Sequence, residues 1–317
     1  MAVLLRRGPR QAPGEPSVAV SRRGTRRRDA PGEPRRIAYA YIAPAFLVYG
    51  IFVLAPLLHA ADLSLYDWNG LTQGTFIGLE NYAQVVQDPL IQEAAVHSLL
   101  FVVFYTLIPI VIGLFLAATL TRIAVRGMAF FRVVLFLPQT VAMVVVAVAW
   151  RWMYSPDGTI NQILALIGLG GLTRGWLGDF TFALPALGVV GSWVMYGFCM
   201  ILFIAGITRI PRDLYDSVRV DGAGPVREFL AVTLPSLRNE LQIASVFTLI
   251  AALRVFDLTF VATRGGPGHT TTVPALWVFL NAFETGRAGY AAAIGVSLAI
   301  VIVVGTLLVM RLFRSRD

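Results

Sequence analysis

The sequence predicts an all-α integral membrane protein with six transmembrane helices and a helix-turn-helix loop between helices four and five. Three observations carry that prediction. Of 317 residues, 57% are hydrophobic and only 14% charged, against about 25% charged in an average soluble domain, and mean hydropathy is +0.71. Six stretches reach the roughly 20 apolar residues that cross about 30 Å of hydrocarbon as helix. The 26 basic residues, all arginine, rise and fall in number from loop to loop, as they do when short positive loops stay in the cytoplasm.

The same composition excludes several chemistries. With no lysine, the chain has neither a P-loop lysine nor a Schiff-base lysine, so it does not hydrolyse ATP through a Walker A motif of its own. Cys199, the single cysteine, permits no intrachain disulfide and reads as a core filler within an apolar run. His59, His97 and His269 show no ligand spacing and read as polar residues at membrane edges or in a loop. No metal site, resident cofactor or catalytic residue is expected.

In chain order, residues 1–36 are rich in arginine, proline and glycine and read as a disordered, solvated topogenic tail rather than one drawn to anionic lipid. The first span runs near Ile37 to Leu58. "HAAD" follows it like a cleavage site, but the apolar run is too long and begins too far along the chain for a signal peptide. The others run near Val96 to Leu120, Val133 to Met153, Leu184 to Ile207, Leu241 to Val261 and Ala291 to Met310, within a membrane region of 37–313. Pro44, Pro56, Pro109, Pro138 and Pro185 lie within spans and predict kinks that neighbouring helices tolerate.

Arginine then sets orientation. The tail to Arg36 holds ten, the 121–132 loop three, the 208–240 loop five and the C-terminal tail three, while loops 59–95, 154–183 and 262–290 hold none, one and two. Both termini are therefore expected in the cytoplasm, and the segment Asp62 to Glu93, with five acids and no arginine, outside.

Two features inside the bilayer stand out. Arg254 and Asp257 in the fifth span would each cost about 2.5–3.5 kcal/mol near a helix centre facing lipid, so they must face protein or a watery cavity. Their i, i+3 spacing allows a mutual ion pair; a structural contact between helices and a place on the translocation path both remain open. In the fourth span Trp193, Tyr196 and Phe198 offer aromatic faces of the kind on which sugars stack, or simply packing.

Between spans four and five lies "DSVRVDGAGPVREFLAVTLP", Asp216 to Pro235. Pro211 suits a first helical turn, and Leu214, Tyr215 and Val218 have helical spacing before Gly222 permits a sharp bend. Val226, Phe229, Leu230 and Leu234 then share a face until Pro235 interrupts. Helix, turn and helix, with an apolar and a charged face, either dock in a cleft of another protein or rest on headgroups.

The pattern closely resembles the cytoplasmic "EAA" loop of permease subunits in binding-protein-dependent ABC importers, which runs E-A-A, three residues, D-G-A and later L-P. Asp221, Gly222 and Ala223 match D-G-A, and Leu234 and Pro235 match L-P; Asp216, Ser217 and Val218 stand where Glu, Ala, Ala would be. "YIAPAFLVYGIFVLAPL", "SLYDWNG", "FIGLENY", "FRVVLFLPQTVAMVVVAVAWRWMY", "LPALGVVGSWVMYGFCMILFIAGITRIP" and "RVFDLTFVATRGGPGHTT" resemble, in this order, the sugar-importer branch. The resemblance implies a permease in the cell membrane, paired with a second, identical or different, permease subunit. It implies ATP-binding subunits carrying ATP and magnesium beneath, and an extracytoplasmic solute-binding protein above. It gives Asp216, Asp221, Gly222, Ala223, Leu234 and Pro235 an ATPase-coupling role, and makes Trp193, Tyr196, Arg254 and Asp257 candidates for the path. A secondary transporter would show internal repeats and broken helices with midplane carboxylates, and a membrane enzyme a convergent polar site; a permease for glycerol-phosphate or another non-sugar solute is the nearer alternative.

Overall fold

The computed structural model describes residues 35–122 and 127–314, so the tail expected over 1–36 lies, but for its last two residues, outside the described residues. Two compact units divide between Leu54 and Ala55. The first contains the helix Arg35–Tyr49 and a widened helical turn Gly50–Leu54. The second contains the rest.

Among the described residues five helical runs are long and apolar enough to cross a membrane: Tyr39–Leu63, Pro89–Thr121, Ala183–Ile207, Arg238–Thr263 and Ala288–Leu312. The expected third span, Val133 to Met153, is not one helix. It is two arms, Met128–Thr140 and Met143–Met153, meeting at 94°. The bend falls past Pro138, at Val141 and Ala142, which are extended with ψ of 134° each. Thr140 Oγ1 donates to Leu137 O at 2.8 Å and Val141 N to Pro138 O at 3.4 Å, three-back bonds that close the helix end. At about 1.5 Å per residue neither arm alone reaches the roughly 30 Å of hydrocarbon.

Prolines leave a different mark. Widened turns Gly50–Leu54, Val103–Leu107 and Phe229–Thr233 each end two residues before a proline, Pro56, Pro109 and Pro235. In the second, Ile108 N reaches back to Val103 O rather than to Phe104 O. The carbonyl of Phe104 instead accepts from Ser192 Oγ at 2.6 Å, across from the fourth span. A neighbouring helix thus satisfies a backbone group that has no water to turn to.

The second and fourth spans meet almost backbone to backbone. Gly113 abuts Cys199 and Met200, Gly188 lies against the ring of Phe104, and Gly191 against that of Tyr105, leaving no room for a Cβ at any of the three. Small residues are what allow such close approach between membrane helices, where packing rather than water exclusion holds them together. Phe101, Tyr105, Leu187 and Val190 are fully buried in one core cluster, and Cys199 fills a second with Met200, Phe203 and Leu237.

At one end of the bundle residues 64–93, within the expected loop 59–95, fold into a cap. Tyr66–Asp67 pairs antiparallel with Thr75–Phe76, and helix Glu80–Gln87 follows. Asn81 Nδ2 donates to the carbonyls of Ser64 and Tyr66 at 2.8 and 3.0 Å. Gly289 N donates to Trp68 O at 3.0 Å, and Tyr290 Oη to Asp88 Oδ2 at 2.6 Å, which ties the cap to the start of the last span.

Candidate functional site

Helix Arg212–Val220 opens the turn between the fourth and fifth spans, with Pro211 as its N-cap residue. It closes as a Schellman motif: Ala223 N donates to Val218 O at 3.2 Å and Gly222 N to Arg219 O at 3.0 Å. Asp221 is the C-cap, and Gly222 takes φ +75°, the left-handed conformation that glycine adopts without strain. Gly222 and Ala223 of the D-G-A run therefore each have a geometric task. Helix Pro225–Glu228 follows, then the widened turn and the short helix Leu234–Ser236 with Pro235 inside it.

Glu228 is the inward-facing residue of the second helix. Of the shared apolar face, Val226 and Leu230 are exposed and Phe229 and Leu234 half-buried, while Glu228 is only 5% exposed. Arg219 reaches it across the turn, Nε to Oε2 at 3.0 Å and Nη2 to Oε1 at 3.3 Å. That hydrogen bond and its charge raise the Arg219 pKa above its usual value. Asp216, exposed, sits 3.5 Å from Arg219 Nη1, and Tyr215 Oη lies 3.1 Å from Thr233 Oγ1. Leu214 and Val220 are exposed on the first helix. The turn is thus closed by polar groups and presents apolar ones outward. Behind it opens a cleft of about 750 Å³, lined by Thr121, Arg212, Tyr215, Arg219 and Glu228 among others.

Arg254 and Asp257 do not form the anticipated ion pair; among the described residues no hydrogen bond or ion pair joins them. The reason is a break in the fifth span. Helix Arg238–Leu253 ends with Arg254 as C-cap, Phe256 departs from helical geometry at φ −137°, and a new helix starts at Asp257. Each charge therefore sits at the helix end whose dipole favours its sign. Both side chains are exposed and line a cavity of about 300 Å³ with Tyr105, Met143, Met195 and Phe247. Tyr105 is 1% exposed, and its hydroxyl has no hydrogen-bond partner among the described residues.

The aromatic residues of the fourth span do not converge. Phe198 packs on Phe247 with centroids 4.4 Å apart, whereas Trp193 meets Trp150 edge-on at 5.5 Å. Tyr196 is half-buried, and neither it nor Trp193 lines the cavity at the break. His97 is buried, with Nδ1 2.8 Å from Thr272 O, so it donates there and ties the 264–272 loop to the second span. His59 and His269 are exposed, and no cluster of three metal-capable side chains occurs among the described residues. Arg219, Glu228 and Tyr105 were not anticipated. Arg219 and Glu228 lie nine apart on either side of a glycine turn, a spacing that periodicity within one helix does not register.

Residues 109–316 match the family model for the binding-protein-dependent transport system inner membrane component. The chain belongs to that family. It is a multi-pass membrane transport component, a permease, and not an enzyme. The permease is 36% identical to the "Probable ABC transporter permease protein YurN" of Bacillus subtilis, over 88% of this chain and 96% of that one. It is 33% identical to the "Diacetylchitobiose uptake system permease protein NgcF" of Streptomyces coelicolor, over 85% and 80% of the two. Its fold is shared with a chain of the bacterial alginate ABC transporter crystallised with an alginate pentasaccharide-bound periplasmic protein. There the TM-score is 0.76 at 22% identity, with 88% of this permease and 94% of that chain covered. Family membership decides against a secondary transporter, although the fifth span does have the interrupted helix and carboxylate that such a protein would show.

Proposed function

We propose that this permease forms half of the membrane channel of an ATP-driven importer for a sugar or related polar solute. A solute-binding protein delivers the cargo from outside, ATP and magnesium bind on partner subunits, and both termini face the cytoplasm. The Asp216–Pro235 turn is the element those ATP-binding subunits push. The observation that carries this is the facing of the turn: Leu214, Val220, Val226 and Leu230 are exposed while Arg219 and Glu228 pair across it. Apolar side chains held out on a rigid two-helix tip fit a cleft in a partner. Asp216, Asp221 and Ala223 belong to that tip, and Leu234 and Pro235 join it to the fifth span.

The break in that span gives the push an effect. Arg254 and Asp257, at the cavity, are proposed to line the path, with Trp193 and Tyr196 as flanking contacts. Alternating access is then rigid-body motion driven by contacts that differ between two states. The similarity to a diacetylchitobiose uptake permease supports a carbohydrate solute.

Gly222→Leu tests the coupling. The variant should reach the membrane at normal levels yet lose co-purification with the ATP-binding subunit, solute-stimulated ATP hydrolysis and uptake. Wild-type uptake by this variant refutes the coupling role. Uptake of radiolabelled sugars by a deletion strain complemented with the gene tests the solute class separately.

A further inference from the structure

The turn that closes the Met143–Met153 arm at Tyr154 is followed by a stretch whose surface the importer reading leaves unused. Residues 158–173, "GTINQILALIGLGGLT", contain no charged side chain, while Asp157 and Arg174 bracket them. Helix Thr159–Leu166 occupies the first half. Ile163, Leu166, Ile167, Leu169 and Leu172 are exposed, Leu166 at 85%. Large aliphatic groups clustered on a surface mark an interaction site, since soluble surfaces seldom carry them together.

The structure also fixes the height of this patch. Gly158 sits hard against the carbonyls of Trp152 and Met153, so the segment folds straight back on the end of its arm. Asn161, 5% exposed, staples it there: Nδ2 donates to the carbonyls of Ser155, Pro156 and Arg174, and Oδ1 accepts from Trp176 Nε1 at 2.9 Å. The Trp176 ring packs 6.1 Å from that of Tyr154, whose hydroxyl donates to Ala186 O at 3.1 Å in the first turns of the fourth span. The patch is therefore held level with the ends of two membrane-embedded helices. It adjoins an arm whose Val144, Val145, Val148 and Trp152 are exposed. Tryptophan at a span end is the usual marker of the headgroup layer.

We propose that residues 158–172 form an interfacial anchor that seats Ile163, Leu166 and Ile167 in the boundary between lipid headgroups and acyl chains. The partner is the lipid surface itself. The neutral tip enters the apolar side of that layer, and Asp157 and Arg174 stay in the polar side, the division of an amphipathic helix lying in the membrane plane. The anchor braces the outer end of the bent pair, which has no full-length helix to hold its depth.

The test uses the full-length permease, co-expressed with its partner subunits and reconstituted in phosphatidylethanolamine–phosphatidylglycerol liposomes. A nitroxide is placed at Leu166→Cys or Ile163→Cys, with Asp157→Cys as the aqueous control; buried Cys199 is replaced by alanine. Power saturation with oxygen and with a water-soluble nickel chelate reads the surroundings. Oxygen should relax the 166 and 163 labels more than nickel does, with the order reversed at 157. Stronger relaxation by nickel at 166 and 163 overturns the anchor. So does protection from both reagents, which would place the patch against a protein, whether a second permease subunit or the binding protein.

Discussion

Arg219 grips the buried carboxylate of Glu228 with two parallel hydrogen bonds of 3.0 and 3.3 Å, and so joins the two helices on either side of Gly222. A bidentate guanidinium–carboxylate pair fixes geometry as well as contributing energy. Lysine at 219 offers a point charge without the fork.

The clasp therefore predicts an order of effects. Arg219→Ala leaves a desolvated carboxylate without its guanidinium and should impair uptake and ATPase co-purification more than Glu228→Gln. Arg219→Lys should fall between Arg219→Ala and wild type. The double change Arg219→Met with Glu228→Leu should be milder than the two single losses combined. A double-mutant cycle on solute-stimulated ATP hydrolysis that comes out additive rejects the clasp.

Gly222 allows backbone strain and partner approach to be separated. A Cβ there meets nothing within 4 Å among the described residues. Gly222→Ala should thus lose only the left-handed preference, about 1–2 kcal/mol, and Gly222→Asn less, since asparagine tolerates that region. Leucine adds bulk toward the partner alone. If the ATP-binding subunit approaches closely, co-purification falls in the order Asn, Ala, Leu; equal loss for Ala and Leu means strain is the whole effect.

At the break, Arg254 and Asp257 serve separate helix ends. Neutral replacements at either should leave the chain inserted, since each helix end loses only about 0.3–1 kcal/mol. Their stability effects, read by thermal unfolding in detergent, should add to within about 0.5 kcal/mol. A larger coupling energy would restore the direct ion pair.

Tyr105 and Gly191 make a fourth test. Gly191→Ala drives a methyl group into the Tyr105 ring and should destabilise by about 1–3 kcal/mol, as overpacking does. Tyr105→Phe removes a buried hydroxyl that has no partner among the described residues and should leave the thermal midpoint unchanged or raised. A fall in uptake without a fall in stability would assign that hydroxyl to the solute.

Orientation is checked with impermeant thiol reagents on a Cys199→Ala background. Cysteine at Thr75 or Asp157 should label from outside in sealed cells, and cysteine at Ser236 should not; all three positions are exposed. The neighbouring Gly158 is unsuitable because the carbonyls of Trp152 and Met153 occupy the space a side chain would need. Labelling at 236 from outside inverts the topology.

Length and hydropathy made the spans legible, because the bilayer imposes one requirement on each of them. The D-G-A run was legible for a similar reason, since a left-handed turn leaves glycine few substitutes. The bend at Val141 was legible only as a kink expected from Pro138; that the helix stops altogether and turns through 94° was not, because no glycine or proline stands at Val141 or Ala142 themselves. Arg254 and Asp257 were read on an unbroken helix, where i and i+3 face one another; once Phe256 leaves the helix, that proximity vanishes. The pairing of Glu228 was not legible, because a helical wheel knows nothing of an arginine nine residues earlier on another helix.

The glycine seam between the second and fourth spans has a mechanical consequence. With Gly113, Gly188 and Gly191 filled to contact by Cys199, Phe104 and Tyr105, a slide by even one residue, about 1.5 Å, would drive a ring into backbone. These two spans are keyed like a dovetail and travel together. The compliance that a moving permease needs must then reside in its joints, at Val141 and Ala142 and at Val255 and Phe256, where the backbone has already left the helix.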